Sequence, residues 1–153
     1  MRLYLVQHGK PVPKEVNPER PLSGEGREEV KRVASFLKGA GIKVPQVVHS
    51  GKARARETAE ILANALGAEL TQREGLAPLD DVKPLVAEID SLLDNTMLVG
   101  HLPHLAKLAS LLVAGDEEKG IVKFQQGGVA CLIKDEEGAW AVAWMVVPEL
   151  IVG

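Results

Sequence analysis

Cysteine is nearly missing from this chain, with one residue, Cys131, in 153. A lone thiol closes no internal disulfide. Cys131 lies in the apolar run Val129-Ala130-Cys131-Leu132-Ile133 without a second ligand at metal-binding spacing, so it reads as a small buried hydrophobe. Aromatics are scarce at 3%, which leaves the core to Ala, Val and Leu. A basic surplus is missing as well. Lys and Arg number 18 against 21 Asp and Glu, a formal charge of −3, which excludes an extended positive surface for nucleic acid or an anionic membrane. Any attraction for phosphate must therefore be local. No apolar run approaches membrane-spanning length, and Met1–Val6 meets His8, Gly9 and Lys10 too early to form a signal-peptide core. A cytoplasmic protein is expected. Two glycine-based phosphate motifs are also absent: no run ends in Gly-Lys-Ser/Thr, and no Gly-x-Gly-x-x-Gly follows the first apolar run.

What is present is an alternation of short apolar runs and amphipathic segments. A length of 153 residues fits a single domain spanning 1–153 and is enough to bury a core without staples. Residues 3–6 predict a buried strand ended by Gly9 and Pro11, followed by a loop rich in proline. Ser23 caps a helix carrying Val30, Val33, Ala34 and Leu37, which Gly39 and Gly41 terminate. The unit repeats with Val47-Val48, a turn at Ser50-Gly51 and a helix bearing Ala55, Ala59, Leu62 and Leu66 up to Gly67, with a brief strand near 68–71. Pro84 opens a third helix through Leu93, Met97-Leu98-Val99 is another strand, and Pro103 opens a fourth helix ending at Gly115. Residues 128–134 and 139–147 then predict an antiparallel hairpin at the sheet edge around Asp135-Glu136-Glu137-Gly138. The expected architecture is an α/β three-layer sandwich, with a mainly parallel sheet, helices on both faces and a C-terminal hairpin.

Three polar clusters fall where a buried strand ends and a helix is about to begin: Gln7-His8-Gly9, Ser50 to Arg54, and Gly100-His101. Parallel sheets gather such ends at one edge, where helix N-termini favour an anion. A single histidine is more often a surface or capping residue, but His8 and His101 agree in placement. His49 and His104 lack that agreement and read as structural or peripheral. Arg54 and Arg56 are two residues apart near a helix start and face different ways, so at most one enters a pocket. A guanidinium near a helix N-terminus works against helix stability and suits phosphate, which favours Arg54. No His-x-x-x-His pair is present.

Taken together, these residues resemble the histidine phosphatase superfamily of phosphoglycerate mutase-like proteins, and within it the small phosphohistidine phosphatases of the SixA type. The resemblance rests on His8-Gly9, on Arg20-Pro21-Leu22-Ser23 with Gly26, and on Ser50 followed by Arg54-Ala55 and Thr58-Ala59. Gly100-His101-Leu102-Pro103 and the short length complete it. It implies His8 as nucleophile, Arg54 as phosphate clamp, His101 as a second donor to the phosphoryl group and Arg20 as a further phosphate ligand. It implies no metal or cofactor, a phosphorylated protein or small phosphorylated compound as partner, and inorganic phosphate as product.

Two departures bear on activity. Where the family pattern has arginine before the histidine, this chain has Gln7, and losing a charged contact to a phosphoryl group costs on the order of 2–4 kcal/mol of transition-state stabilisation. Lys10 or Arg20 is the cation near enough in sequence to restore part of that charge. The candidate general acids, Asp80 and Asp81, sit in no diagnostic motif and read more readily as a solvated turn before Pro84. A phosphoramidate suits so sparse a site, since a protonated phosphohistidine leaves as neutral imidazole. The reading is therefore a metal-independent phosphohistidine phosphatase, with a degenerate phosphate- or phosphohistidine-binding module and a small-molecule phosphomonoesterase or mutase as alternatives.

Overall fold

The apolar run behind Met1 forms the strand β1 (Arg2–Gln7), buried along five of its six residues, because both of its faces are covered by helices. A computed structural model describes residues 1–152 of the chain. The other elements are α1 (Gly24–Gly39), β2 (Gln46–His49), α2 (Ala53–Leu66), β3 (Glu69–Gln72), α3 (Lys83–Ala87), β4 (Thr96–Gly100), α4 (His104–Ala114), β5 (Val129–Lys134) and β6 (Trp140–Val146). Short 3₁₀ turns lie at Ile89–Ser91 and Pro148–Leu150. The sheet order is β3-β2-β4-β1-β5-β6. β1, β2, β3 and β4 pair in parallel, whereas β5 runs antiparallel to β1 and β6 antiparallel to β5. This is the expected three-layer sandwich with its terminal hairpin.

Alternation along each strand sorts the core into two layers. Tyr4, Val6, Val47, Met97, Val99, Val129 and Cys131 pack against Val30, Val33 and Leu37 of α1 and Ala55, Ala59 and Leu62 of α2. Leu3, Leu5, Val48, Leu98, Ala130 and Leu132 face Leu85 of α3 and Leu105, Leu108 and Ala109 of α4. Ser23 caps α1 by accepting from Gly26 N at 3.0 Å, and Gly67 and Gly115 close α2 and α4 in the left-handed region. The expected third helix is shorter than its apolar pattern. It ends at Ala87, gives way to the 3₁₀ turn, and leaves Leu93 57% exposed. The chain there must turn into β4, and Asp94 accepts the Arg2 amide at 2.6 Å while Asn95 takes a positive φ. These turn bonds compete with another helical turn. Among the described residues, no helix is long and apolar enough to cross a membrane.

The loop between β1 and α1 is folded back on itself. Val12 N donates to Pro21 O at 2.8 Å and Ser23 N to Lys10 O at 2.9 Å, which draws Lys10 tightly over the first turn of α1. Only a residue without a side chain fits there: a Cβ on Gly26 would stand 2.8 Å from Lys10 N and closer still to its carbonyl oxygen. Gly24 has no atom within 4 Å of such a position. Gly26→Ala is expected to lower unfolding free energy by about 1–3 kcal/mol or more, whereas Gly24→Ala leaves it nearly unchanged. Urea denaturation of the two variants beside the wild type checks the difference.

Candidate active site

His8 follows β1 and His101 follows β4, adjacent parallel strands in which Gln7 is in register with Gly100. His8 N donates to Gly100 O at 3.0 Å, so the two strand ends are tied at the point where both histidines leave the sheet. The imidazole rings lie 5.1 Å apart, inclined at 52°. His8 Nδ1 is 2.7 Å from Gly9 O. A carbonyl can only accept, so Nδ1 carries the proton and Nε2 keeps a free lone pair. His101 Nε2 shares a hydrogen with Ser50 Oγ at 2.6 Å, while its buried Nδ1 has no protein partner.

Burial is the chief cause of the electrostatic state of both rings. It pushes His8 down to about 4, against a partial opposing effect from the Gly9 carbonyl and with help from Arg54 and Arg20. Burial pushes His101 down to about 3, followed by its neighbours His8, Arg54, Lys52 and His104. Both imidazoles are therefore neutral near pH 7.

Arg54 lies in the first turn of α2, half-buried, with its Nε inside the protein and bonded to nothing. Burial and the neighbouring Arg20 lower its proton affinity. Among the described residues, no carboxylate lies within ion-pair distance of Arg54 or Arg20. Two guanidinium groups that repel one another without a counter-charge make a site for an anion. Arg20 itself holds φ at +50° and places its Nε 3.4 Å from Val12 O. A non-glycine residue in that region is strained, and such strain gathers at sites where a side chain must be aimed.

The structure thus brings His8, His101, Arg54, Arg20 and Gln7 to one sheet edge. Arg56 is exposed and borders, with Arg54, a surface cleft beside Pro18 and Lys52. His49 is buried and accepts Gly51 N at 3.0 Å, a turn-forming role, and His104 is buried in the first turn of α4. Lys10 does not replace the missing charge, because it reaches outward to Glu25 at 2.9 Å. Asp80 and Asp81 are exposed turn residues that accept Ala77 N at 2.9 Å and Lys83 N at 3.0 Å. They line a neighbouring cleft of about 460 Å³ that borders Ser50. Among the described residues, no three His, Cys, Asp or Glu side chains cluster as metal ligands would.

Two contacts escaped the sequence reading. Thr58, wholly buried, accepts Gly9 N at 2.9 Å and donates to Arg54 O at 2.8 Å, which joins the His8 turn to the helix of the arginine. Its position one helical turn after Arg54 was the available signal. Glu57 accepts Leu22 N at 2.8 Å and Arg27 Nη2 at 3.3 Å, pinning the Arg20 loop to α2, and nothing in the sequence distinguished it from a solvated helix residue.

Known proteins are similar to this chain in sequence and fold. Phosphohistidine phosphatase SixA of Escherichia coli K12 is 26% identical over 97% of this chain and 94% of its own length. An uncharacterized protein of Picosynechococcus is 32% identical over 83% of this chain and 86% of its own. A solved structure of the protein histidine phosphatase SixA complexed with tungstate superposes with a TM-score of 0.85 at 24% identity, covering 98% of this chain and 99% of that one. The model of the histidine phosphatase superfamily (branch 1) matches residues 3–80, the stretch that carries His8, Arg20, Arg54 and Thr58, and the chain belongs to that superfamily.

Proposed function

We propose that this protein is a metal-independent phosphatase that removes phosphoryl groups from phosphohistidine by way of a covalent phospho-His8. The observation that carries the reading is the free Nε2 lone pair of a neutral His8 held beside Arg54 and Arg20, two cations without a protein counter-charge. In the first step Nε2 attacks phosphorus and the bond from phosphorus to the leaving nitrogen breaks. The leaving histidine, protonated on its other ring nitrogen, departs as a neutral imidazole. His8 gains positive charge as it is phosphorylated, and the Gly9 carbonyl that accepts its Nδ1 proton stabilises that charge. Arg54, Arg20 and His101 face the charge on the phosphoryl oxygens. Water then cleaves the P–Nε2 bond, which gives inorganic phosphate and restores His8.

The choice of phosphohistidine over a phosphate ester rests on the leaving group. The carboxylates bordering the pocket, Asp80 and Asp81, are exposed and engaged in turn hydrogen bonds, and an imidazole leaving group needs little protonation by the enzyme. A relative covering nearly the whole chain is a phosphohistidine phosphatase. Gln7 supports a second reading, a binding module of low turnover, because it removes a charge from the pocket.

Phosphate release without added metal, from a phosphohistidine protein and from an aryl phosphate, separates these readings. Wild type is expected to act on the phosphohistidine protein preferentially, His8→Ala to lose release altogether, and Arg54→Ala to lose about 10²–10³ in kcat. Equal release by wild type and His8→Ala overturns the mechanism, and binding of the phosphoprotein without release favours the module. The depressed histidines predict an acid-sensitive fold. Between the ordinary value of 6.5 and about 4 for His8 the unfolded chain binds more protons than the native one, so stability falls as pH falls. Chemical denaturation from about pH 7 to 4.5 should show wild type losing roughly 2 kcal/mol more than the His8→Asn variant.

A further inference from the structure

Arg54 belongs to two surroundings. Its charge acts on both imidazoles, and it also lines a surface cleft of about 360 Å³ together with Pro18, Glu19, Gly51, Lys52 and Arg56. Lys52 stands immediately before α2, where its amide is directed to Ser50 Oγ at 3.4 Å, and it is near enough to His101 to oppose protonation of that ring. The cleft therefore adjoins the candidate phosphoryl site. Three cations line it against one carboxylate, Glu19. Among the described residues, no carboxylate lies within ion-pair distance of Lys52, Arg54 or Arg56.

The sign of charge reverses across one turn of the chain. Gly51 lines the basic cleft, whereas Ser50 borders the neighbouring one, whose lining holds Glu74, Asp80 and Asp81 and no lysine or arginine. An acidic segment is attracted to the first and repelled from the second. With Arg54 and Arg20 taken up by the phosphoryl group, Lys52 and Arg56, both exposed, remain to act on the molecule that carries it. We propose that the cleft of Lys52 and Arg56 is a docking subsite for the substrate protein, receiving acidic side chains that flank its phosphohistidine. The inference rests on the phosphoryl-site reading, and it adds which surroundings of a phosphohistidine the site selects. Exposed ion pairs are weak singly and are screened by salt, so the subsite acts on encounter and on the choice among substrates rather than on the chemical step.

Phosphate release from two peptides, each phosphorylated on a single histidine, and from N-phosphoimidazole, which has no flanking chain, tests this. One peptide carries glutamate on both sides of the histidine and the other carries glutamine at the same positions. Wild type is expected to give a kcat/KM about tenfold higher for the glutamate peptide at about 0.02 M salt, with the ratio approaching one at about 0.5 M. The net charge of −3 by itself gives the opposite order. Lys52→Gln/Arg56→Gln should bring the ratio to one or below while release from phosphoimidazole stays as in wild type.

A wild-type ratio of one or less, with phosphoimidazole still hydrolysed in a His8-dependent manner, overturns the inference and leaves the phosphoryl site standing. Persistence of the preference in the double variant overturns it as well, since the preference then arises elsewhere. A parallel loss on phosphoimidazole assigns the two cations to the phosphoryl site instead and removes the subsite. If His8→Ala and wild type do not differ on any of the three substrates, both readings fail. Should the double variant not fold, Lys52→Gln and Arg56→Gln taken singly are each expected to show part of the loss.

Discussion

The pairing of β1 with β4 is the constraint from which the site follows. Parallel neighbours end at the same edge of a sheet, and here a single main-chain bond, His8 N to Gly100 O at 3.0 Å, ties the ends together. Two histidines that are distant in sequence therefore leave the sheet with their rings 5.1 Å apart. Both core layers support that arrangement, because the strands are clamped by α1 and α2 on one face and by α3 and α4 on the other. The long closure of the chain between β1 and β4 is compensated by apolar burial on both faces.

Around this edge the protein accepts several unfavourable settings at once. Imidazoles are desolvated, two guanidinium groups face each other without a carboxylate, and Arg20 keeps a left-handed backbone. Each costs free energy, and the cost of the unpaired guanidinium groups is offset when an anion arrives. On the proposed reading, affinity for phosphate comes from these local settings in a chain whose overall charge is negative, so that an anion is attracted to one site without polyanions being drawn to the whole surface.

Much of this was legible in the residues. Apolar runs bounded by glycine gave the parallel strands, and Ser23, Gly67 and Gly115 marked helix limits because caps depend on local chemistry. His8, His101 and Arg54 stood out because each sits at a strand-to-helix junction. The third helix was overdrawn: Leu92 and Leu93 continue its apolar pattern, but the approach to β4 forces a turn that periodicity does not register. Lys10 was adjacent to the site in sequence and lies outside it in space, since the return of the loop onto α1 directs it to Glu25. Hydroxyl contacts such as Ser50 with His101 depend on where two separate strands end, and no local pattern encodes that.

Thr58 bears on how well the site tolerates motion. Its hydroxyl is bonded at once to the amide beside the candidate nucleophile and to the carbonyl of the candidate clamp. If α2 drifts as a body, both partners are carried along by the same atom, so their errors of position are correlated. What a phosphoryl transfer needs is a constant separation between attacking nitrogen and charge-bearing guanidinium, and that separation is preserved even when neither group is fixed relative to the remainder of the fold. A candidate site joined through one hydroxyl can in this way keep its internal spacing when the helix that carries it shifts.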